Sequence, residues 1–273
     1  MARCATLRSP ASRVTLALID GDIVAFRAAA AHAKTFDFGD GVIGEQNDFA
    51  GAAAAAVDTI ASWARIARCK DVLVCFTGPH NFRKVILPSY KANRVKGKPP
   101  TYVHTVEAVH ERFTTRVVDG LEADDLLGIL ATTDKYADSI ILTADKDLRT
   151  VPGRHFNPIK ETHPVVVSEA EGNHFWMLQS LMGDVTDGYT GIPGVGIKKA
   201  EKLLGPVGQT EAGLWRRVVE AYRAAKLTER DALTQARVAR ILRRCDYDKS
   251  TKEILLWHPS KAEPLTLATV CAA

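Results

Sequence analysis

The chain has 273 residues, 46% hydrophobic and 25% charged, with a formal net charge of +4. That length gives one or two domains with room for a sizeable core, and the composition excludes a disordered or collagen-like chain. No run of about 18 uncharged apolar residues occurs, and the Ala-rich stretch 49–60 carries Asp58, so no transmembrane helix is expected. Arg3 and Arg8 precede no apolar region of the kind a secretory signal needs, and a cytoplasmic protein is the expectation. Five cysteines without CxxC spacing and eight scattered histidines without an HExxH pair argue against a disulfide framework or a zinc site.

In chain order, residues 1–12 are expected to be a frayed leader. Val14 to Ile19 is a short apolar run stopped by Asp20 and Gly21, the pattern of a buried strand ending at a turn. Ile23 to Ala33 reads as helix, and Asp48 caps a longer one over 49–69. Val72 to Phe76 is a second buried strand, followed by a basic, proline-bounded segment over 81–100. Thr101 caps a helix to about Phe113, Arg116 to Val118 is a brief strand, 122–135 is helical, and Ser139 to Thr143 is a further strand. Such alternation predicts a parallel α/β sheet, whose ligands bind beyond the carboxyl ends of its strands. Asp20, Thr77 and Asp145 fall there. From about 168 the pattern turns helical: Ser168 caps a helix to Met182, others follow near 197–204, 210–225 and 229–244, and Glu253 to Trp257 adds an edge strand.

Charge is unevenly spread. Residues 78–100 carry six Lys/Arg and no acid, 119–147 carry eight acids against two lysines, and 211–244 carry nine basic residues against four acidic ones. Basic flanks around an acidic centre suit a polyanion held over bound cations. The acids sit at predicted loops: Asp20; Glu122, Asp124 and Asp125; Asp145 and Asp147; Asp184 and Asp187. Residues two apart at a strand end, and i,i+3 pairs on a helical turn, aim carboxylates at a common point. Singly, each pair reads equally well as a cap or a turn; the weight lies in all of them falling on one side of one sheet. Eight gathered carboxylates need cations to offset their repulsion, and oxygen-only donors select Mg²⁺ or Mn²⁺. Two such ions about 4 Å apart suit phosphodiester hydrolysis.

Two basic features complement the acids. Gly191-Ile-Pro-Gly-Val-Gly196-Ile-Lys-Lys-Ala200 is a tight turn opening a helix, where glycines admit close approach and the helix N-terminus offers N–H groups to phosphate. Gly191, Gly194, Gly196, Lys198 and Lys199 are therefore expected to hold a DNA backbone without reading bases. In 81–100, Arg83, Lys84, Tyr90, Lys91 and Arg94 interleave an aromatic with cations. They are expected on DNA, with Tyr90 stacked on a base and Lys91 and Arg94 at the scissile phosphate.

Leu18-Ile-Asp-Gly21, the FR…PxYKxNR stretch from Phe82 to Arg94, EADD at 122–125, TADKDL at 143–148 and GDxxDGYxGIPGVGxKKA at 183–200 together resemble the flap endonuclease / 5′→3′ exonuclease family, over about residues 14–205. That family includes the nuclease domain of bacterial DNA polymerase I and the phage 5′ nucleases; the short chain resembles a stand-alone phage-type enzyme. The resemblance implies a PIN-like α/β nuclease domain over 13–167 with a basic helical arch at about 80–113. It also implies a helix-hairpin-helix-like DNA-binding region over 168–250, with its turn at 191–200, and a tail over 251–273. It assigns Asp20, Glu122, Asp124 and Asp125 to a first metal cluster and Asp145, Asp147, Asp184 and Asp187 to a second. Lys91 and Arg94 join these acids as catalytic residues, and K⁺ is implied at the 191–196 turn. The implied activity is metal-dependent hydrolysis at DNA 5′ ends, flaps, nicks or gaps, as exonuclease, flap endonuclease or both. It leaves 5′-phosphate products, extends to RNA–DNA hybrids and is carried out by a monomer. One position departs: Phe76-Thr77 stands where the family usually has Phe-Asp, and Asp22 is the nearest substitute. The competing readings are a PIN-type ribonuclease and a non-catalytic DNA-binding protein.

Overall fold

The computed structural model describes residues 16–37, 39–40, 43–94, 97–260 and 265–267. The expected leader and part of the expected tail lie outside them. Strand β1 (Leu16–Asp20) is apolar on both faces and buried from Ala17 onward, as a central strand must be. Helix α1 (Gly21–Ala31) starts on Asp20, whose Oδ1 accepts from the Ile23 amide at 3.2 Å. An antiparallel hairpin, β2 (Ala33–Asp37) and β3 (Ile43–Asn47), leads to α2 (Phe49–Ile66), capped by Asp48 as expected. There follow β4 (Asp71–Thr77), a single turn α3 (Arg83–Ile86), α4 (Tyr102–Arg112), β5 (Thr114–Val118), α5 (Ala123–Ala131) and β6 (Ser139–Leu142). Two short strands, β7 (Gly153–Phe156) and β8 (Val165–Val167), precede the helices α6 (Glu169–Met182), α7 (Ile197–Leu204), α8 (Glu211–Ala224) and α9 (Glu229–Ala239). Strands β9 (Tyr247–Asp248), β10 (Glu253–Leu256) and β11 (Leu265–Thr266) form a small separate sheet.

The main sheet runs β5-β4-β1-β6-β7-β8, parallel except for β8, which is antiparallel to β7. From β1 the chain moves to β4 and β5 on one side, then to β6 and β7 on the other. The loops leaving β1 and β6 therefore diverge, and a crevice opens beyond their carboxyl ends. Register sets Ile19 beside Leu142, so β1 and β6 end within a residue of each other, while Asp20 lies beside Cys75 and β4 runs on to Thr77. Ala17, Ile19, Val74 and Phe76 pack against α1, α2 and α4, while Leu18, Leu73, Cys75 and Ile141 pack against α5. Helices α6–α9 close a third core around Trp176, Trp215 and Tyr222. Trp257 meets Trp176 and Trp215 edge-on at 4.9 and 5.0 Å between ring centroids.

Several expectations need correction. Helix α4 does start after Thr101, but the Thr101 hydroxyl donates to the Ala29 carbonyl at 3.2 Å and ties α4 to α1 instead of capping it. Helix α5 ends at Ala131, with a separate 3-10 turn at Asp134–Tyr136. Helix α9 ends at Ala239, because Arg240 and Arg243 turn inward. Arg240 Nε donates to Asp246 at 2.9 Å, and Arg243 Nη2 to the Thr150 carbonyl at 2.6 Å. The 253–257 run pairs with β9 and β11 and not with the main sheet. Among the described residues no helix is long and apolar enough to cross a membrane.

Candidate active site

The segments beyond β1, β5, β6 and α6 bring carboxylates to the crevice. Asp20 is buried, and its Oδ2 accepts from the Thr143 hydroxyl at 3.0 Å. That hydroxyl also accepts from the Asp145 amide at 3.0 Å, and Asp145 Oδ1 accepts from the Asp147 amide at 2.8 Å. One chain of hydrogen bonds thus fixes three acids from two strand ends. Burial, then the neighbouring Asp22 and Asp145, push Asp20 up to about 7. Burial together with Asp20, Asp145 and Glu122 drives Asp124 well above the usual carboxylate range. Burial, Asp145, Asp184 and Asp187 push Asp147 up to about 7. These groups feel one another as like charges do at short range. Asp184 Oδ1 accepts from the amides of Thr186 and Asp187 at 2.7 and 3.2 Å, folding the loop that presents Asp187.

The chemistry of this set fits hard divalent cations. All donors are carboxylate oxygens, and Asp147 Oδ1 is buried without a hydrogen-bond partner, a position costly to leave unfilled. Among the described residues no three acid or imidazole side chains converge into a ready-made cage, so the acids form a looser array than the sequence suggested.

Two acids assigned to the first cluster are engaged elsewhere. Asp125 is fully buried, and its two oxygens accept four hydrogen bonds. Arg83 Nη1 and Nη2 donate at 2.7 and 2.8 Å, and the Glu122 and Leu242 amides at 3.1 Å each. A carboxylate has about four acceptor sites, so none is left for a metal. Arg83 is the matching correction. It is 2% exposed, and all five of its N–H groups are used. Besides Asp125, it donates to Glu122 Oε2 at 2.9 Å, the Val238 carbonyl at 2.8 Å and the Arg240 carbonyl at 2.7 Å. It is an internal staple between the basic segment, α5 and the end of α9, and it is closed to DNA.

Tyr90 is likewise buried, in the core of α6–α9, where no base reaches it. Its hydroxyl lies 2.9 Å from Glu122 Oε2 and 3.2 Å from Asp187 Oδ2. Glu122 Oε1 takes the Lys91 ammonium at 2.6 Å. Burial alone would raise the Glu122 carboxyl, but Arg83 and Lys91 outweigh it and hold the group down at about 2. Glu122 therefore faces the crevice as the anchor of Lys91. Arg94 is 52% exposed and reaches Asp187 Oδ1 at 2.6 Å. Of the expected arch, the stretch from Tyr90 to Arg94 lies against the acids, whereas its second half, α4, packs on α1 and α2 as part of the core. The Lys91 amide donates to the Asp187 carbonyl at 2.7 Å, and Lys91 takes a left-handed φ of 54°. Lys84 is exposed on α3.

Thr77 has two partners of its own. Its amide donates to Asp22 Oδ2 at 3.1 Å, and its hydroxyl accepts from the Ala123 amide at 3.0 Å, satisfying the first turn of α5. Asp22 also accepts from the Tyr102 hydroxyl at 2.8 Å. Asp22, the expected substitute for the missing acid, does lie beside Thr77, while the part of Tyr102 in this chain was not foreseen.

At the glycine turn, Gly194, Gly196, Lys198 and Lys199 are exposed, and the space around the two glycines is open. Gly191 is buried, with its amide donating to Gln235 Oε1 at 2.9 Å, so it is a packing residue and no DNA contact. Gly183 (φ +71°) and Gly191 (φ +58°) cross backbone to backbone: a Cβ on Gly191 would stand 2.3 Å from the Gly183 nitrogen. No side chain fits at that crossing.

This α/β sheet, with carboxylates and cations together beyond its central strands, has the layout of a metal-dependent nuclease. Residues 15–173 match the family described as 5′-3′ exonuclease, N-terminal resolvase-like domain. The chain belongs to this 5′-3′ exonuclease family. It is 28% identical to the exodeoxyribonuclease of Enterobacteria phage T3, over 89% of this chain and 92% of that protein. It is also 28% identical to the exonuclease of Escherichia phage T7, over 89% and 93%. The T5 D15 protein, crystallised with metal ions, shares the fold with a TM-score of 0.54 at 19% identity, covering 82% of this chain and 93% of that one.

Proposed function

We propose that this nuclease hydrolyses DNA phosphodiesters at 5′ ends, flaps, nicks or gaps, using two Mg²⁺ ions, which Mn²⁺ replaces, and leaving 5′-phosphates. The observation that carries the reading is the chain of like-charge contacts that runs through Asp20, Asp124, Asp145, Asp147, Asp184 and Asp187, with Lys91 and Arg94 paired to Asp187 and a buried Asp147 oxygen that has no partner. Asp20, Asp124, Asp145, Asp147, Asp184 and Asp187 hold the divalent ions, which supply an activated water and charge compensation at the phosphate. Lys91 and Arg94 stabilise charge on the scissile phosphate, and Glu122 positions Lys91. Residues 13–167 supply Asp20, Asp124, Asp145 and Asp147 to cutting, 168–250 adds Asp184 and Asp187 and holds the duplex, and a monomer suffices for both. Action on RNA–DNA hybrids, and K⁺ at the 191–196 turn, rest on the family resemblance.

Lys91→Ala is expected to lower kcat by on the order of 10²-fold, with duplex affinity nearly unchanged, because its ammonium acts where charge develops. Single-turnover cleavage and equilibrium binding on one nicked-flap substrate check this. Lost affinity at an unchanged rate would make Lys91 an ordinary phosphate anchor. The double change of Lys198 and Lys199 to Ala should do the opposite. KM should rise and the log–log salt dependence of binding should flatten by about one to two, with kcat little changed. The reading as a whole is tested by a panel of 5′-flap, nicked and blunt duplexes against single-stranded RNA, with and without Mg²⁺. Preferential cutting of the RNA would favour a ribonuclease, and binding without cutting a non-catalytic protein.

A further inference from the structure

Beyond β6 and β7 lies a cleft of about 200 Å³ that has Asp145 at its edge with the acids and Glu161, paired with Arg149, on its far wall. Its lining includes Lys146, Arg149, His155, Asn157 and Lys160. The loop forming its far wall is pre-organised. Glu161 pairs with Arg149 and accepts from the Asn157 amide at 2.9 Å. Asn157 in turn accepts from the Ile159 amide on its side chain, at 3.1 Å, and from the Lys160 and Glu161 amides on its carbonyl, at 3.1 and 2.9 Å. Lys146 and Lys160 are exposed and make no ion pair with a described residue, so two ammonium groups overlook a wall already fixed in place.

His155 adds a second, independent feature. It is 3% exposed, and its Nε2 lies 2.8 Å from the Val151 carbonyl. A carbonyl only accepts, so Nε2 carries the proton. Burial pushes the imidazole down to about 4, and the ring is neutral at physiological pH. Nδ1 is therefore a lone-pair acceptor, buried and without a partner. A simple anion would satisfy the lysines and leave Nδ1 unmet. A nucleotide unit brings both anionic oxygens and hydroxyl or amino donors.

The geometry points to a phosphate subsite for the strand being cut, in which Lys146, Arg149 and Lys160 take a nucleotide phosphate neighbouring the scissile one. The inference rests on the proposed cutting site at Asp145. The phosphate comes either from the 5′ terminus or from within the strand. Lys160→Glu reverses an exposed charge away from the acids and is expected to fold normally, which its Tm verifies. With a 5′-phosphorylated nicked duplex, kcat/KM should fall about tenfold. An unchanged value on the matching 5′-hydroxyl duplex would identify the terminal phosphate, and an equal fall on both an internal one. No fall on either overturns the subsite. Calorimetric titration with deoxyadenosine 5′-monophosphate, against deoxyadenosine, tests the cleft apart from cutting. The nucleotide should bind at least about tenfold more tightly, and Lys160→Glu should remove the difference. A chain that shows this preference yet never cuts DNA would overturn the nuclease reading and keep the subsite. One that cuts but binds the two compounds equally would overturn the subsite alone.

Discussion

Replacing Asp184 or Asp145 by Asn is expected to abolish cleavage while duplex binding stays at or above its original level. Asp184 Oδ1 shapes its loop by accepting from Thr186 and Asp187, and Asp145 Oδ1 accepts from the Asp147 amide. An Asn carbonyl keeps all three hydrogen bonds, so the substitution removes charge and leaves the backbone in place. The charge is what a divalent ion needs from this array, and single-turnover rates should drop on the order of 10³-fold or more. DNA phosphates approach the same edge, so one fewer carboxylate lowers repulsion and affinity holds or rises. Calorimetric Mg²⁺ titration should show weakened binding in both variants. Turnover at the original level at saturating Mg²⁺ would remove the residue from the site.

The second large effect is on stability. Arg83→Ala should destabilise the fold by about 3–5 kcal/mol, because it strands the buried Asp125 charge. Glu122 and the Val238 and Arg240 carbonyls lose a donor as well. Urea unfolding measures the loss. Adding Asp125→Ala to Arg83→Ala should cost less than the two single effects summed, since each removes the other's partner. If Arg83→Ala kept its stability to within about 1 kcal/mol and lost DNA affinity instead, Arg83 would be a phosphate contact after all.

The elements that carry the acids were legible because a run such as Leu-Ala-Leu-Ile-Asp, apolar on both faces and stopped by Asp-Gly, has one plausible place in an α/β sheet. Ser168 and Asp48 were legible as caps for the same local reason. What was not legible depends on distant partners. Nothing near Arg83 in sequence tells it from Lys84, yet one is enclosed by residues about 40 and 155 positions away and the other is exposed. Tyr90 and Asp125 share that difficulty. The basic count of 211–244 misled similarly. Arg237, Arg240 and Arg243 are buried, on the Trp257 carbonyl, Asp246 and the Thr150 carbonyl, so part of that charge never meets solvent. Strands β7 and β8 and the β2–β3 hairpin escaped notice because each is short and weakly alternating, and pairing partners hold them more than local preference does.

The crossing of Gly183 and Gly191 acts as a ruler. It closes residues 184–190 into a loop pinned at both ends, with Asp184 and Asp187 inside it and the open Gly194 and Gly196 just past its far end. On the proposed reading, the reach from Asp184 and Asp187 to the 191–196 turn is set by these two side-chain-free positions. An insertion within 184–190 would enlarge the loop and displace Asp187 without moving the pinned ends, whereas a larger residue at 183 or 191 would part the crossing itself.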